Sequence, residues 1–536
     1  MPESEHARRT RGRALATVMA ASMAIALAAP ASAGSSTSTG PSTVTSPYVL
    51  PVADGIHIES LLTVGDGSAS NGYKMVGIPD GLGLIRQGAN LVLYMNQEIG
   101  DSGTPNFTPL GIPRRHGQAG AFMSRWVIDP TTLRVKEGSD WFNPGVRFWD
   151  YPTGTYVTTA ARFADNAVQN DYFLRFCSGT LSDPGTFYNE TTNAGYQGQV
   201  YFANEEAGDN GRAFGVTKEG DVTALPRLGL FSWENTKPAA NQTDTTLVMG
   251  DEDGPTTGSQ LWVYVGTKQS SGEPLAKAGL TNGDDHVIDA VDPTVTTDAQ
   301  WRTTYGKGTA AAVNLVDNDW NQTGAAQNSQ GLADGLNLNR IEDGHWDPNN
   351  PNDFYFFTTQ GGVVSGSGVT GGDTGGLWKL HFADIENPDA GATLTLLLDG
   401  SETPPDGHKL NKPDNMTIDT HGNLLIQEDP GNLAHVARIV AYRIADGALG
   451  VVATFDPNLF SAGATADPTK LTIDEESSGI IDTEGFLGAG TFIFDAQVHT
   501  AKGLPAGSGP GTVQEFVDRG QLLTLKVDDW SEVYPD

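Results

Sequence analysis

The chain has 536 residues, with 32 Lys and Arg against 65 Asp and Glu, so its formal net charge at pH 7 is −33. So negative a surface repels phosphate backbones and argues against nucleic-acid binding. The chain has one cysteine, Cys177, which excludes an intrachain disulfide.

Residues 1–33 have the pattern of a signal peptide. Basic residues come first, an apolar run follows from Leu15 to Ala29, and Ala31-Ser32-Ala33 matches a small-residue cleavage site. The pair Arg8-Arg9 suggests the twin-arginine export route. The apolar run is short for a membrane span, so a membrane anchor is the weaker alternative. We therefore expect a secreted, periplasmic or cell-surface protein without stable membrane insertion.

Residues 34–46 are nearly all Ser, Thr, Gly and Pro. A segment of this composition buries little apolar area, which predicts a flexible leader. No second low-complexity linker follows, so residues 47–536 are predicted to form a single domain. We expect this domain to be a monomer.

Short apolar runs alternate with turn residues through the rest of the chain, which favours an all-β fold. Several apolar runs end in polar or acidic residues, and these are 90–98, 199–206, 260–267, 353–360, 423–429 and 491–499. Further runs are spaced as hairpin partners would be, and these are 121–129, 376–382, 438–444 and 521–527. Irregular sheet units in series predict a β-propeller of about six blades, with long insertions between blades. Hairpins on a large β-sandwich are the alternative.

Acidic groups adjoin many of these strands, and the main ones are Glu205-Glu206, Asp251-Glu252-Asp253, Glu342-Asp343, Asp414, Glu428-Asp429 and Glu475-Glu476. Any one of them alone is typical of a solvated turn. In a propeller, strand ends from different blades meet at a central channel, where like charges repel unless cations neutralise them. The pattern therefore predicts that Glu206, Glu342 and Asp414 converge around one cavity that binds a hard cation such as Ca²⁺.

A series of short motifs then resembles the PhoX-type alkaline phosphatases and their secreted relatives. The motifs are 77–81, 96–98, 175–179, 204–206, 339–344, 412–423 and 474–479. Their order along the chain is the specific part, because each is short. The segment Tyr196-Gln-Gly-Gln-Val-Tyr201 differs from the Thr-Pro-Trp-Gly-Thr-Trp of familiar members, which predicts a different pocket wall.

The resemblance implies a six-bladed propeller with Fe³⁺ and Ca²⁺ in its channel and a small-molecule phosphate monoester as substrate. It implies Cys177 as an iron thiolate, Arg340 as a catalytic residue, and six carboxylate ligands, which are Glu206, Glu234, Glu342, Glu98, Asp414 and Glu476. A thiolate suits Fe³⁺ rather than Ca²⁺. The function hypothesis is therefore metal-assisted phosphoester hydrolysis.

Two other functions stay open on the sequence, a non-catalytic calcium-binding propeller and a Ca²⁺-dependent lactonase or esterase. Cys177 discriminates, because neither of these needs a thiolate. Since Ser178-Gly179 follows it, Cys177 is expected where a strand breaks into a turn. The alternative for Cys177 itself is a buried packing residue, since free cysteines are among the most buried residue types.

Overall fold

The computed structural model describes residues 34–100, 109–163, 169–255, 258–361, 373–431, 435–461 and 467–534. The predicted signal peptide lies outside these residues. Within the described part of the chain, every helix is too short or too polar to cross a bilayer.

The chain forms many short strands. The first are β1 (Ser36–Thr39), β2 (Val49–Pro51), β3 (Ile56–Thr63), β4 (Pro79–Gln87), β5 (Asn90–Gln97), β6 (Phe122–Ile128), β7 (Val135–Asp140), β8 (Phe148–Asp150), β9 (Thr155–Val157), β10 (Ala161–Arg162) and β11 (Gln169–Asn170). The next are β12 (Phe176–Leu181), β13 (Tyr188–Asn189), β14 (Ala194–Gly195), β15 (Val200–Glu205), β16 (Ala213–Thr217), β17 (Val222–Ala224), β18 (Trp233–Pro238), β19 (Thr245–Glu252), β20 (Leu261–Thr267), β21 (Asp284–Ala290) and β22 (Ala311–Asn318). The last are β23 (Ile341–Asp347), β24 (Asn350–Thr358), β25 (Gly376–Phe382), β26 (Ala392–Leu398), β27 (Pro413–Ile418), β28 (Asn423–Glu428), β29 (Arg438–Arg443), β30 (Leu449–Phe455), β31 (Glu475–Asp482), β32 (Thr491–Val498) and β33 (Arg519–Val527).

The helices in this part of the chain are short and lie in connections between strands. They are α1 (Pro274–Lys277), α2 (Asp298–Thr304), α3 (Gly324–Asp334), α4 (Glu484–Leu487) and α5 (Val513–Phe516). The predicted all-β class is therefore confirmed as a mostly β protein.

Most strands pair antiparallel with their neighbours in sequence. The larger sheets have the orders β17-β16-β15-β12-β4-β5-β6-β7, β18-β19-β20-β21-β22-β26-β25-β24-β23, β1-β3-β33-β32-β31 and β2-β30-β29-β28-β27. The runs β4–β7 and β12–β17 are joined through a parallel contact, in which Thr180 of β12 lies opposite Leu82 of β4. Strands that are covered on both faces read as continuous apolar runs instead of alternating ones, as in β5, where every residue from Leu91 to Gln97 is buried.

The N-terminal segments join sheets built from the end of the chain. β3 pairs antiparallel with β33, from Ile56 opposite Val527 to Thr63 opposite Gln521. β2 likewise pairs with β30. The prediction of a flexible leader was wrong for Ser36–Thr39, because this segment forms β1 and pairs in parallel with β3. Strand pairing satisfies backbone groups whatever the side chains are, so four exposed Ser and Thr residues can still form an edge strand.

Candidate metal centre

Most strands belong to groups in which strands that follow one another in sequence pair antiparallel, and each such group is an antiparallel run. The first strand of successive antiparallel runs carries, near its first residue, one side chain of a type that can bind a metal. These side chains are Asp80 on β4, Cys177 on β12, Glu234 on β18, Glu342 on β23, Asp414 on β27 and Glu476 on β31. Asp80, Cys177, Glu234 and Glu342 are buried, and Asp414 and Glu476 are half-buried. The repetition arises because residues near the start of equivalent strands face the same end of the sheets.

The second strand of several runs adds a further acidic side chain, one residue after the strand ends. Glu98 follows β5, Glu206 follows β15, Asp253 follows β19 and Asp429 follows β28. In an antiparallel pair, the end of one strand lies beside the start of the other. Residues far apart in sequence are thereby placed at one end of the sheets.

The donor atoms form overlapping groups whose members lie within 4.8 Å of one another. The groups are Asp80–Glu98–Cys177, Cys177–Glu206–Glu234, Glu234–Glu342–Asp414 and Asp414–Asp429–Glu476. Each group shares a residue with the next, so the donors form one continuous cluster.

Every residue that the sequence implied as a ligand lies in this cluster. The predicted convergence of Glu206, Glu342 and Asp414 is confirmed, while their role as ligands stays a prediction. The sequence did not identify Asp80 or Asp429 as ligands, although both lie within its motifs or acidic groups. Their positions could have identified them. Asp80 is the second residue of a first strand, and Asp429 directly follows a second strand.

Cys177 lies within β12 and not at a turn, so the expected break of the strand at this point was wrong. The register shifts between Phe176 and Gly179, so a bulge is present and the strand continues. The glycine serves close packing, since a Cβ on Gly179 would lie 2.7 Å from the Tyr201 hydroxyl. The Cys177 carbonyl accepts a hydrogen bond from Asn96 Nδ2 at 2.8 Å. Burial raises the pKa of the Cys177 thiol well above its usual range, and the neighbouring carboxylates add to the rise.

The carboxylates of the cluster are in an environment that disfavours their charge. Burial raises the pKa of Glu206 to about 8. Burial also raises the pKa of Glu234, with a further rise from Asp414. Glu206 Oε2 is buried without a hydrogen-bond partner among the described residues. Unpartnered buried oxygens with strongly raised pKa values are typical of cation ligands, so the residues fit a metal centre.

Amide side chains fix the orientation of the donors. Gln497 Nε2 donates to Glu98 Oε2 at 2.7 Å and to Asp80 Oδ2 at 3.2 Å. Asn415 Nδ2 donates to Glu234 Oε1 at 3.3 Å, while Asn415 Oδ1 accepts from the Gly479 N–H at 2.7 Å. Donors held in this way keep their geometry without a metal, which favours binding.

Two arginines adjoin the cluster, each two residues before a donor. Arg340 is held by Asp253, with Nε to Oδ1 at 2.7 Å and Nη2 to Oδ2 at 2.6 Å, and its Nη2 lies 3.2 Å from Glu342 Oε1. Arg340 has a φ of 55°, a left-handed backbone that non-glycine residues adopt at a cost of about 1 kcal/mol. Arg175, which opens the motif 175–179 but was given no role from the sequence, donates to Glu98 and Glu206.

Other acidic residues of the same sequence groups are structural. Glu205 pairs with Arg212, and Glu428 pairs with Arg438. Glu252 Oε2 accepts from the Gln260 N–H and from Trp262 Nε1. These side chains are the last residues of their strands, one position before Glu206, Asp429 and Asp253. Successive side chains along a strand point to opposite faces of the sheet, so these residues face away from the acid that follows them. This explains why neighbouring acids have different roles.

The metal-free protein should lose stability as the pH rises from about 5 to about 8. In the folded state, burial keeps the carboxyl of Glu206 protonated up to a pKa of about 8, whereas its usual value is 4.5. Above the usual value the unfolded state releases the proton first, and this favours unfolding until the pH passes the folded-state pKa. The check is the thermal midpoint of chelator-treated protein at the two pH values. A midpoint at pH 8 equal to or above that at pH 5 would contradict the raised pKa values.

Comparison with known proteins identifies relatives of this chain. A family model described as Alkaline phosphatase PhoX matches residues 215–475. This span includes Glu234, Glu342 and Asp414 but not Cys177. No curated protein matches the sequence.

Among solved structures, Pseudomonas fluorescens PhoX in complex with vanadate, a transition state analogue, is similar, with a TM-score of 0.59 and 12% sequence identity. The match covers 90% of this chain and 98% of that chain. An α-L-arabinofuranosidase from Clostridium thermocellum matches with a TM-score of 0.25 at 11% identity, over 70% of this chain and 93% of that chain. A quinoprotein alcohol dehydrogenase-like protein from Bacteroides thetaiotaomicron matches with a TM-score of 0.26 at 13% identity, over 72% of this chain and 70% of that chain. The first match shows a shared fold, and the predicted resemblance to the PhoX family is confirmed.

Proposed function

We propose that this relative of the PhoX alkaline phosphatases is an exported, metal-dependent phosphatase that hydrolyses phosphate monoesters. One observation carries the proposal. The thiol and the carboxylates that the family resemblance implied as ligands lie in one continuous, largely buried donor cluster. Buried carboxylates in such numbers need cations to balance them.

The proposed fold is a six-bladed propeller with the cluster in its channel. Successive antiparallel runs begin with β4, β12, β18, β23, β27 and β31. In support, each of these strands contacts the next, and β31 contacts β4, so the first strands form a closed ring. Blades arranged in this way bring their first strands together around one axis.

The donor chemistry divides the cluster into two parts. Cys177, Glu206 and Glu234 form a group with one soft and two hard donors, which suits Fe³⁺. Asp414, Asp429 and Glu476 offer only oxygen, which suits Ca²⁺. When bound, such ions act as Lewis acids that neutralise phosphoryl oxygens and stabilise the leaving group.

Arg340 is proposed to position the substrate. Nε and Nη2 of Arg340 donate hydrogen bonds to Asp253, while Nη1 of Arg340 has no hydrogen-bond partner among the described residues. A guanidinium that is fixed on one side can donate from the other to a phosphoryl oxygen with little loss of side-chain entropy. Arg340 also opposes the negative field of the acidic chain, which would otherwise repel an anionic substrate.

The direct test of the proposed function combines metal analysis with an assay. Protein purified after export should contain both iron and calcium, and it should hydrolyse p-nitrophenyl phosphate. A calcium-binding propeller without catalysis predicts calcium and no turnover, and a lactonase predicts turnover of lactones or carboxylic esters only. Protein that contains calcium alone and leaves the phosphate ester intact would contradict the phosphatase.

Calcium should stabilise the fold. Repulsion among Asp414, Asp429 and Glu476 raises the free energy of the metal-free protein, and a ligand that binds only the folded state adds stability by mass action. At a free calcium concentration about 100 times the Kd, the gain is about 2.7 kcal/mol. Thermal unfolding with a chelator and then with restored calcium measures it. An unchanged midpoint would remove calcium from the site.

The signal peptide and the monomeric state remain proposals. N-terminal sequencing of the exported protein should start near Gly34. Light scattering of the purified protein should give the mass of one chain.

A further inference from the structure

Arg175 has an unusual position in the cluster. Its Nε donates to Glu98 Oε1, and its Nη1 donates to Glu206 Oε1 at 3.0 Å. The Arg175 side chain is 49% exposed, while those of Glu98 and Glu206 are 3% and 8% exposed. The guanidinium therefore connects two buried carboxylates to the solvent side of the site.

Both carboxylates belong to donor groups that contain Cys177. Glu98 lies with Asp80 and Cys177, and Glu206 lies with Cys177 and Glu234. Arg175 thus occupies oxygens that a metal ion would need. A metal and the guanidinium compete for the same carboxylates, since each carries the positive charge that the site lacks.

Arg340 provides the contrast. Its main partner is Asp253, with two hydrogen bonds of 2.6 and 2.7 Å, and Asp253 is in none of the donor groups found among the described residues. The anchor of Arg340 is therefore kept when metals bind, whereas the partners of Arg175 are taken over. Arg175 lies two residues before Cys177, and Arg340 lies two residues before Glu342. The two arginines therefore have equivalent positions but differ in their hydrogen-bond partners.

We propose that Arg175 has a different role before and after metal loading. In the metal-free protein it donates hydrogen bonds to Glu98 and Glu206. Once metals hold these carboxylates, the guanidinium is released toward the solvent and binds the phosphate group of the substrate or product. The inference rests on the proposed function, and it makes Arg175 a phosphate-binding residue in addition to Arg340.

The variant Arg175→Gln tests the proposal through two opposite effects. Without the competing guanidinium, metal-free protein should bind Fe³⁺ at the Cys177 groups about 3- to 10-fold more tightly. Metal-loaded protein should bind inorganic phosphate about 10- to 100-fold more weakly, because a charge-assisted hydrogen bond is lost. Titration with ferric citrate, followed by calorimetric titration with phosphate, measures both, and KM for p-nitrophenyl phosphate should rise more than kcat falls.

The control is Arg443→Gln. Arg443 is also partly exposed and makes two hydrogen bonds to a carboxylate, that of Asp446. The control removes the same charge, and both affinities should stay unchanged. Arg175→Lys, which keeps the charge without the planar fork, should give intermediate values and serves if the Gln variant does not fold.

Each result has a defined meaning. Unchanged phosphate affinity in metal-loaded Arg175→Gln would overturn the proposal and leave Arg175 as a counterion. Unchanged or weaker Fe³⁺ binding would also overturn it, because Arg175 would then not compete with the metal for these carboxylates. A native protein that neither binds Ca²⁺ nor hydrolyses p-nitrophenyl phosphate would overturn the proposed function itself.

Discussion

Replacing Cys177 by serine should leave a folded protein that has lost its iron and at least about 99% of its phosphatase activity. Loss of residues that support a metal already costs about 10- to 100-fold, and loss of a ligand should cost more. The side chain is 7% exposed and of similar size to serine, so the fold should change little. Metal analysis, turnover of p-nitrophenyl phosphate and thermal unfolding of the same preparation measure the three effects.

Cys177→Ala provides the matched comparison. It removes the sulfur without adding a hydroxyl, and it should also lose iron. Calcium bound by Asp414, Asp429 and Glu476 should remain, because Cys177 is in neither of the groups that contain Asp414. An alanine variant with full iron content and full turnover would show that the thiol only packs, and that the family's chemistry does not apply to this chain.

Glu205 and Glu206 should respond to the same substitution in opposite ways. Glu205 is fully buried, and its carboxylate accepts from Arg212 Nε at 2.6 Å, Arg212 Nη2 at 2.7 Å and the Leu174 N–H at 2.8 Å. Glu205→Gln leaves the buried guanidinium of Arg212 without its counter-charge, which should lower the free energy of unfolding by about 3–5 kcal/mol. Chemical denaturation of the metal-free protein measures the loss.

Glu206→Gln should leave the metal-free protein at least as stable as the native one. Burial already disfavours the charge of Glu206 and raises its pKa to about 8, so a neutral amide of the same shape removes a repulsion. Metal content and turnover should fall, because one donor next to Cys177 is gone. Two equally destabilised variants, or an active Glu206→Gln, would contradict the division of these neighbours into a structural acid and a ligand.

The sequence predicted the strands well because they are apolar over their whole length. The runs at 90–98, 423–429 and 491–499 correspond to β5, β28 and β32. The run at 260–267, which was grouped with these, is also a strand, but it has a different place in its sheet. That run forms β20, the third strand of its antiparallel run, and the equivalent strand is β19, which leads into Asp253. Apolar composition does not indicate the order of a strand within its run, and only pairing fixes that order.

The candidate site was predicted in the same uneven way. The carboxylates were identifiable because acidic groups recur after successive apolar strands, although each group alone is typical of a solvated turn. Arg175 was not, because an arginine beside a strand is ordinary, and its importance comes from two carboxylates that are 77 and 31 residues away in sequence. Contacts of this range depend on how the sheets come together, and no local pattern encodes them.

The pairing of β3 with β33 determines when the molecule can be completed during its synthesis. Thr63 lies opposite Gln521, which is 458 residues further along the chain. The two strands therefore cannot pair until Gln521 has been synthesised. Until then, β3 has an open edge, because the strand that pairs with Ile56, Ile58 and Leu62 is missing. Pairings of such long range form slowly.

The last sheet to close also carries Glu476 on β31, so the donor cluster gains its final member late. The proposed metals would therefore have to be supplied in the compartment where the end of the chain folds, and export of the chain as an extended thread would place that step outside the cytoplasm.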